Sequence, residues 1–234
     1  MPTNEVDELT FEPTEVDAHV GAELTVTDFG FYTYEHELTA EDVMTWGAVV
    51  TNSSSDLDAA FTVSVSGFDA EGNELSQLQI GQFTTGDSER YLVAADSSLG
   101  IGRNSLPVDV PVHNLEVEVE NLTWHERDHD FDGTTRLPVQ ALNATSAELE
   151  LADSPEGTSV ARFEIESDYE PAVANAAAAL LYRDSDGSIV GASVLDLGVV
   201  PPGSSVTGEV EIPDHLPLWS IEPEETDIYL YWAE

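Results

Sequence analysis

The chain has 234 residues and carries 47 Asp plus Glu against 6 Lys plus Arg, a formal net charge of −41. With no basic stripe it is excluded as a conventional nucleic-acid binder, because phosphate recognition needs clustered cations. It has no cysteine, which excludes disulfides, thiol nucleophiles and cysteine metal sites, and no apolar run approaches the roughly 20 residues that cross a bilayer as a helix.

Hydrophobic residues make up 41% of the chain, enough for a true core rather than a disordered acidic tail. The length suits one large or two ordinary domains. All six cations are arginines (Arg90, Arg103, Arg127, Arg136, Arg162, Arg183), so lysine is absent. A charge of −41 repels itself in dilute buffer. In about 1 M salt the Debye length falls to roughly 3 Å and the surface carboxylates hardly sense one another. The composition therefore predicts a protein built for molar salt.

Taken in chain order, residues 1–13 read as a flexible acidic lead-in. Met1 is followed directly by Pro2, Thr3, Asn4 and Glu5, with no secretion signal, which fits a cytoplasmic protein or a mature domain carrying an added start Met. Phe29, Phe31, Tyr32, Tyr34 and Trp46 form an aromatic group, Phe29 and Phe31 on one strand face and Tyr32 and Tyr34 on the other. Such a set lines either a core or a ligand face. Phe61, Val63 and Val65 alternate with Thr62, Ser64 and Ser66, and Leu115, Val117 and Val119 alternate with Glu116, Glu118 and Glu120. Later, Val206, Val210 and Ile212 alternate with Thr207, Glu209 and Glu211, and Ile228, Leu230 and Trp232 with Tyr229 and Tyr231. Period 2 with an acidic outer face predicts half-buried antiparallel strands. Ala172–Leu181 is alanine-rich and helical by propensity.

The chain also contains itself twice. An acidic Gly turn at Asp69–Gly72 matches one at Asp184–Gly187, a second pair falls at Gly86 and Gly203, and each unit closes on Trp-x-Glu, at Trp124–Glu126 and Trp232–Glu234. This correspondence makes the Ala-rich segment a strand. It also predicts a longer loop in the first copy, placed at 96–113, rich in Ser, Gly and Pro. The expected fold class is all-β: two tandem immunoglobulin-like antiparallel β-sandwiches at 14–126 and 137–234, joined by an acidic linker at 127–136.

Trp46–Ser54 resembles the Gly-x-Val-x-Asn-x-Ser strand of FxLYD-type β-sandwiches, and Phe68–Gly72 resembles that family's Tyr-Asp-x-x-Gly hairpin. Leu180–Gly191 is closer still, with an additional Arg183 before the Asp, and Pro201-Pro202-Gly203 resembles its Leu-x-Pro-Gly turn with Val200 in the Leu position. The resemblance covers about 46–93 and 161–212. It implies an immunoglobulin-like sandwich, often secreted or lipid-anchored, with no catalytic residues to carry over. In composition the chain is similar to proteins of halophilic archaea.

Three strings carry candidate chemistry. His125-Glu126-Arg127-Asp128-His129 satisfies the His-Glu-x-x-His pattern of a zinc hydrolase, which requires a helix so that both imidazoles share one face. Here the string follows a strand and runs into poor helix formers. Asp128, Asp130 and Asp132, with Glu126 nearby and Gly133 at the turn, have the alternate-carboxylate spacing that suits Ca²⁺, although Val139 stands where an EF-hand needs its bidentate Glu. Calcium is the one cofactor this spacing suggests. Asn52, Asn121 and Asn143 each open an Asn-x-Ser/Thr sequon. His19, His36, His113 and His215 are scattered singly, and no nucleophile elbow, P-loop or dinucleotide fingerprint occurs.

The expectation is a non-enzymatic, salt-adapted cell-surface or secreted module for adhesion, assembly or ligand binding. It has no assigned catalytic residues, its partner is a protein or envelope component, and the loops 96–113 and 127–136 are the contact sites. The alternatives are a structural subunit of a filament or virus-like shell and, last, a metal-dependent hydrolase.

Overall fold

The structure is a computed structural model that describes residues 15–16, 22–35, 42–75, 90–108, 110–126, 142–144, 148–150, 159–167, 172–212, 216, 221–222 and 226–232. Every element among them is a β-strand and every pairing is antiparallel. The strands are β1 (Glu15–Val16), β2 (Leu24–Glu35), β3 (Asp42–Asn52), β4 (Leu57–Phe68), β5 (Tyr91–Val93), β6 (Ser97–Val108), β7 (Asn114–Glu126), β8 (Leu142–Ala144), β9 (Glu148–Glu150), β10 (Ser159–Ser167), β11 (Val173–Arg183), β12 (Ile189–Val200), β13 (Ser205–Ile212) and β14 (Asp227–Trp232).

They form four small sheets, ordered β1-β7-β4-β5, β2-β3-β6, β12-β11-β14 and β13-β10-β8, with β9 also on β10. No described strand of 15–126 pairs with one of 142–232. The two halves pair their strands in a similar order. In the first half β4 pairs with β5 and β7, and β3 with β2 and β6. In the second, β11 pairs with β12 and β14, and β10 with β13 and with β8 and β9. The Trp-x-Glu signatures occupy matching places, Trp124 opposite Ala59 and Trp232 opposite Ala176.

The two acidic turns share the same pair of Asp-to-amide bonds. Asp69 Oδ1 accepts the amide hydrogens of Glu71 at 2.9 Å and Asn73 at 2.8 Å, while Asp184 Oδ1 accepts those of Asp186 at 3.0 Å and Ser188 at 2.9 Å. The Gly of each turn, Gly72 and Gly187, has φ of 83° and 79°, which a residue with a Cβ adopts only at a cost. Bonds from Asn73 hold the Asp69 carboxyl below its ordinary value.

The layers stack because strand faces are apolar where they meet. Met44, Trp46, Ala48 and Val50 of β3 close against Phe61, Val63 and Leu115 of the β1-β7-β4-β5 sheet. The opposite face of the β2-β3-β6 sheet meets the β12-β11-β14 sheet through small residues. A methyl group added at Gly47 would lie 2.8 Å from Leu181 Cδ2, one at Gly102 would lie 2.6 Å from the Trp46 carbonyl oxygen and strike Ala192, and one at Gly30 would strike the Ile189 carbonyl. The far face of β11, with Ala176, Ala178, Leu180 and Tyr182, packs on Ala161, Phe163 and Ile165 of β10.

Both faces of β11 are thus covered. This explains why Ala176 to Tyr182 are all buried and show no alternation. The Ala-rich segment is strand because Ala176, Ala177, Ala178 and Ala179 sit between two sheets, a tertiary demand that overrides helix propensity. The halves also share a core: Tyr231 of β14 lies 5.6 Å from Tyr91, ring centre to ring centre, and Tyr91 lies 5.7 Å from Phe61.

The expected loop at 96–113 is corrected. Residues Ser97–Val108 are strand β6, with only the segment beyond it irregular. Leu99 and Ile101 point into the first core, while Gly100 and Gly102 let Tyr229 and Ala192 of the second half approach the backbone. The glycines that read as loop chemistry are close-approach positions in a strand.

Tyr182 provides a test of the inner packing. It is fully buried, and neither its hydroxyl nor that of Ser193 has a hydrogen bond of ordinary geometry. Burial pushes the phenol up to about 12, with the neighbouring Ser193 hydroxyl offsetting part of the rise. A folded value above the unfolded one means the contribution is complete below pH ~10 and is lost as pH climbs toward the folded value. We expect native stability to decline between these limits by on the order of 2–3 kcal/mol at 1.4 kcal/mol per pKa unit. Tyr182→Phe should flatten that slope in alkaline urea titrations and be neutral or stabilising at pH 7, since it removes an unpaired buried hydroxyl. An unchanged alkaline slope would refute this account.

Candidate functional site

The largest concentration of buried polar chemistry lies where β4 leaves its turn and β7 ends. The segment Asn52–Leu57 makes a tight corner: Asn52 donates to the Leu57 carbonyl at 2.8 Å and the Val93 carbonyl at 3.3 Å, and accepts from the Ser54 amide at 2.9 Å. Ser54 Oγ in turn accepts from the Leu57 amide at 3.0 Å. This corner delivers Asp58 into the apolar run of β4, where it is fully buried and accepts the Ala95 amide hydrogen at 2.8 Å. His125 of β7 stands opposite Asp58 in register and is 3% exposed. Its Nε2 lies 3.0 Å from Thr123 Oγ1, and Arg90 reaches over both, bonded to the Thr123 hydroxyl and 3.5 Å from His125 Nε2.

A hydroxyl beside an imidazole is the first half of a nucleophile–base pair. Here the Thr123 hydroxyl is held by Arg90, and the imidazole is enclosed. The set ties the start of β5 to β4 and β7.

A second charged group joins the halves. Arg183, at the end of β11, binds Asp28 of β2 at 2.5 Å and Asp227 of β14 at 2.8 Å, and donates to the Gly187 carbonyl at 2.6 Å. Burial works against its charge, but the bonds to Asp28 and Asp227 outweigh that and raise its pKa. Asp28 and Asp227 are near two-fifths exposed. Arg183→Ala should therefore cost about 1–2 kcal/mol, below the full value of a buried pair. Because a partly enclosed pair is screened little, the loss should persist in about 3 M salt, where exposed pairs fade. A double-mutant cycle with Asp28→Ala in low and high KCl measures it, and a coupling that vanishes in high salt would refute the claim. The exposed Arg162, flanked on the outer sheet by Glu150 and Glu209, serves as the internal comparison.

The residues singled out from sequence fall as follows. His125 and Glu126 lie on strand β7, one buried and the other exposed, and so are not on the helix that would set the two imidazoles of a zinc hydrolase motif on one face. Asp128, His129, Asp130 and Asp132 lie outside the described residues, as does the linker 127–136. Asn52 is buried with its amide group fully engaged, Asn121 is exposed, and Asn143 lies on β8. Of the aromatic group, Trp46 is core, Phe31 packs against the same core, Phe29 is 45% exposed, and Tyr32 and Tyr34 stack with ring centres 6.4 Å apart.

Sequence reasoning missed Asp58, Arg90 and Arg183. The available signal was scarcity: each arginine is one of six cations, and Asp58 interrupts an apolar run.

No protein-family model matches the chain, and no curated protein matches it. Among solved structures, one similar chain is a β-glucuronidase from glycoside hydrolase family 2, at 8% identity and a TM-score of 0.26. The match covers 84% of this chain and 27% of that enzyme, so the chain spans about a quarter of its length.

Proposed function

We propose that the protein is a non-enzymatic, salt-adapted module of the cell surface or secreted space, built as two tandem immunoglobulin-like sandwiches, that binds a protein or envelope component. The observation that carries this reading is where the charge lies. Glu116, Glu118 and Glu120 project from one outer sheet and Glu164, Glu166, Glu209 and Glu211 from the other, all exposed. Arg90 and Arg183, in contrast, are engaged in bracing strands. A stacked, internally braced body with carboxylates on both outer faces is suited to holding shape and solubility in brine. The strand conformation of His125 and Glu126 weighs against the hydrolase alternative, whose motif sits on a helix.

Two measurements test this. Thermal melts from about 0.1 to 3 M KCl should show the midpoint rising steeply as the Debye length shrinks from roughly 10 Å to below 3 Å. A midpoint that is flat or falls with salt would sink the salt-adapted reading. Antibody labelling of intact source cells should detect the protein outside, and retention in the cytoplasm would overturn the surface assignment.

A further inference from the structure

We propose that Asn121 is the acceptor of an N-linked oligosaccharide, an inference that rests on the surface reading above. Of the three sequons, Asn52 is closed in the folded chain: it is 1% exposed and its carboxamide holds the Asn52–Leu57 corner together. Asn143 sits within β8, in regular register with Glu166.

Asn121 differs from both. The β4–β7 register passes from Ala60 opposite Thr123 to Thr62 opposite Glu120, so Asn121 and Leu122 together face the single residue Phe61. This is a β-bulge, and Asn121 takes a left-handed φ of 49° within it. The bulge turns both residues outward on an outermost sheet, and both are exposed. Among the described residues, Asn121 Nδ2 donates one hydrogen bond, to the Thr62 hydroxyl at 2.9 Å on the outer face of the sheet. Among the described residues, Leu122 is one of three large apolar side chains left exposed, at 38%. Exposed apolar surface is penalised more heavily as salt rises, and the C–H face of a first sugar on Asn121 is placed to cover it.

The sequon hydroxyl, on Thr123, is taken up by Arg90 and His125 once the chain is folded. Transfer therefore precedes closure of this corner, and what separates the sequons is what folding then tolerates: a glycan on Asn52 would occupy the carboxamide that the Asn52–Leu57 corner must bury, whereas one on Asn121 stays outside. In the transfer, Asn121 Nδ2 attacks the anomeric carbon of an oligosaccharide carried on a lipid pyrophosphate. The C–O bond to the pyrophosphate breaks, the lipid pyrophosphate departs with the bonding pair, and Nδ2 gives up one proton. No oxidant or reductant is needed.

The sequence makes the test clean. With no lysine, trypsin cuts only after arginine, so Asn52, Asn121 and Asn143 fall in separate peptides, 1–90, 104–127 and 137–162. The full chain is produced with a secretion leader in an N-glycosylating host, with an appended Asn-Ala-Thr tag as a second acceptor. We expect a hexose-ladder mass increment on 104–127, removed by peptide N-glycosidase and absent in Asn121→Asp, a variant that tolerates the left-handed backbone. A bare 104–127 beside a modified tag would overturn the proposal, as would modification confined to 1–90 or 137–162. Failure of the surface reading shows itself separately, as cytoplasmic retention in source cells.

Discussion

Gly30→Ala is expected to lower the unfolding free energy by about 2–3 kcal/mol, the upper range for overpacking a closed interior. The added methyl would strike the Ile189 carbonyl, and a backbone atom at the start of a hairpin strand cannot swing aside as a side-chain tip can. Relief requires β12 to lift from the β2-β3-β6 sheet, which also pulls Ile189 and Ala192 away from Val49 and Gly47. Gly47→Ala is the control. Its methyl would meet the Leu181 side-chain end at 2.8 Å, Ile189 Cγ2 at 3.2 Å and Ala192 Cβ at 3.3 Å, side-chain atoms rather than backbone, so its cost should be below that of Gly30→Ala. Urea unfolding followed by tryptophan fluorescence measures both. If the two halves were independent bodies on a tether, neither substitution would move the midpoint of the first half, and that result would refute the shared interface.

Trp46→Ala carries the second large effect, about 3–5 kcal/mol. Trp46 is fully buried at the centre of β3, among Ala48, Phe61 and Ile101, and its removal leaves a void between two sheets that strand pairing prevents from collapsing. Against a typical total of roughly 5–15 kcal/mol, this is enough to unfold the chain in low salt. Concentrated KCl should rescue the variant by suppressing carboxylate repulsion. Trp46→Phe separates volume from polarity. The indole N–H has no partner among the described residues, so Phe keeps most of the packing and removes that donor, and its cost should stay below about 1.5 kcal/mol. Circular-dichroism melts of both variants decide the matter, and a Phe variant as unstable as the Ala variant would contradict it.

Much of the strand inventory was legible because one face of each outer sheet meets water. At Phe61–Ser66 and Leu115–Glu120 the solvent side is hydroxyl or carboxylate, and the period of 2 is visible in the residues themselves. The Asx-Gly turns were legible for a similar local reason, since an Asp side chain two residues before its bonded amide needs no tertiary partner. Strand β6 was misread as a loop because the face it turns to the second half carries glycine, and glycine there answers to Tyr229 and Ala192, about a hundred residues away in sequence. The polar corner was hidden for the same reason. Asp58, Arg90 and His125 are far apart along the chain and meet only through the β4–β5 and β4–β7 pairings.

By itself, the sequence determined the all-β class and the acidic hairpins. These follow from local periodicity and turn stereochemistry, which need no knowledge of who packs on whom. The tertiary structure alone decided that the halves share a core, that Arg183 clamps Asp28 to Asp227, and that of the three sequons Asn52 is closed while Asn121 is turned out to solvent by its bulge. Burial and close approach are properties of pairs of segments, set when sheets stack, and a single strand's residues do not carry them.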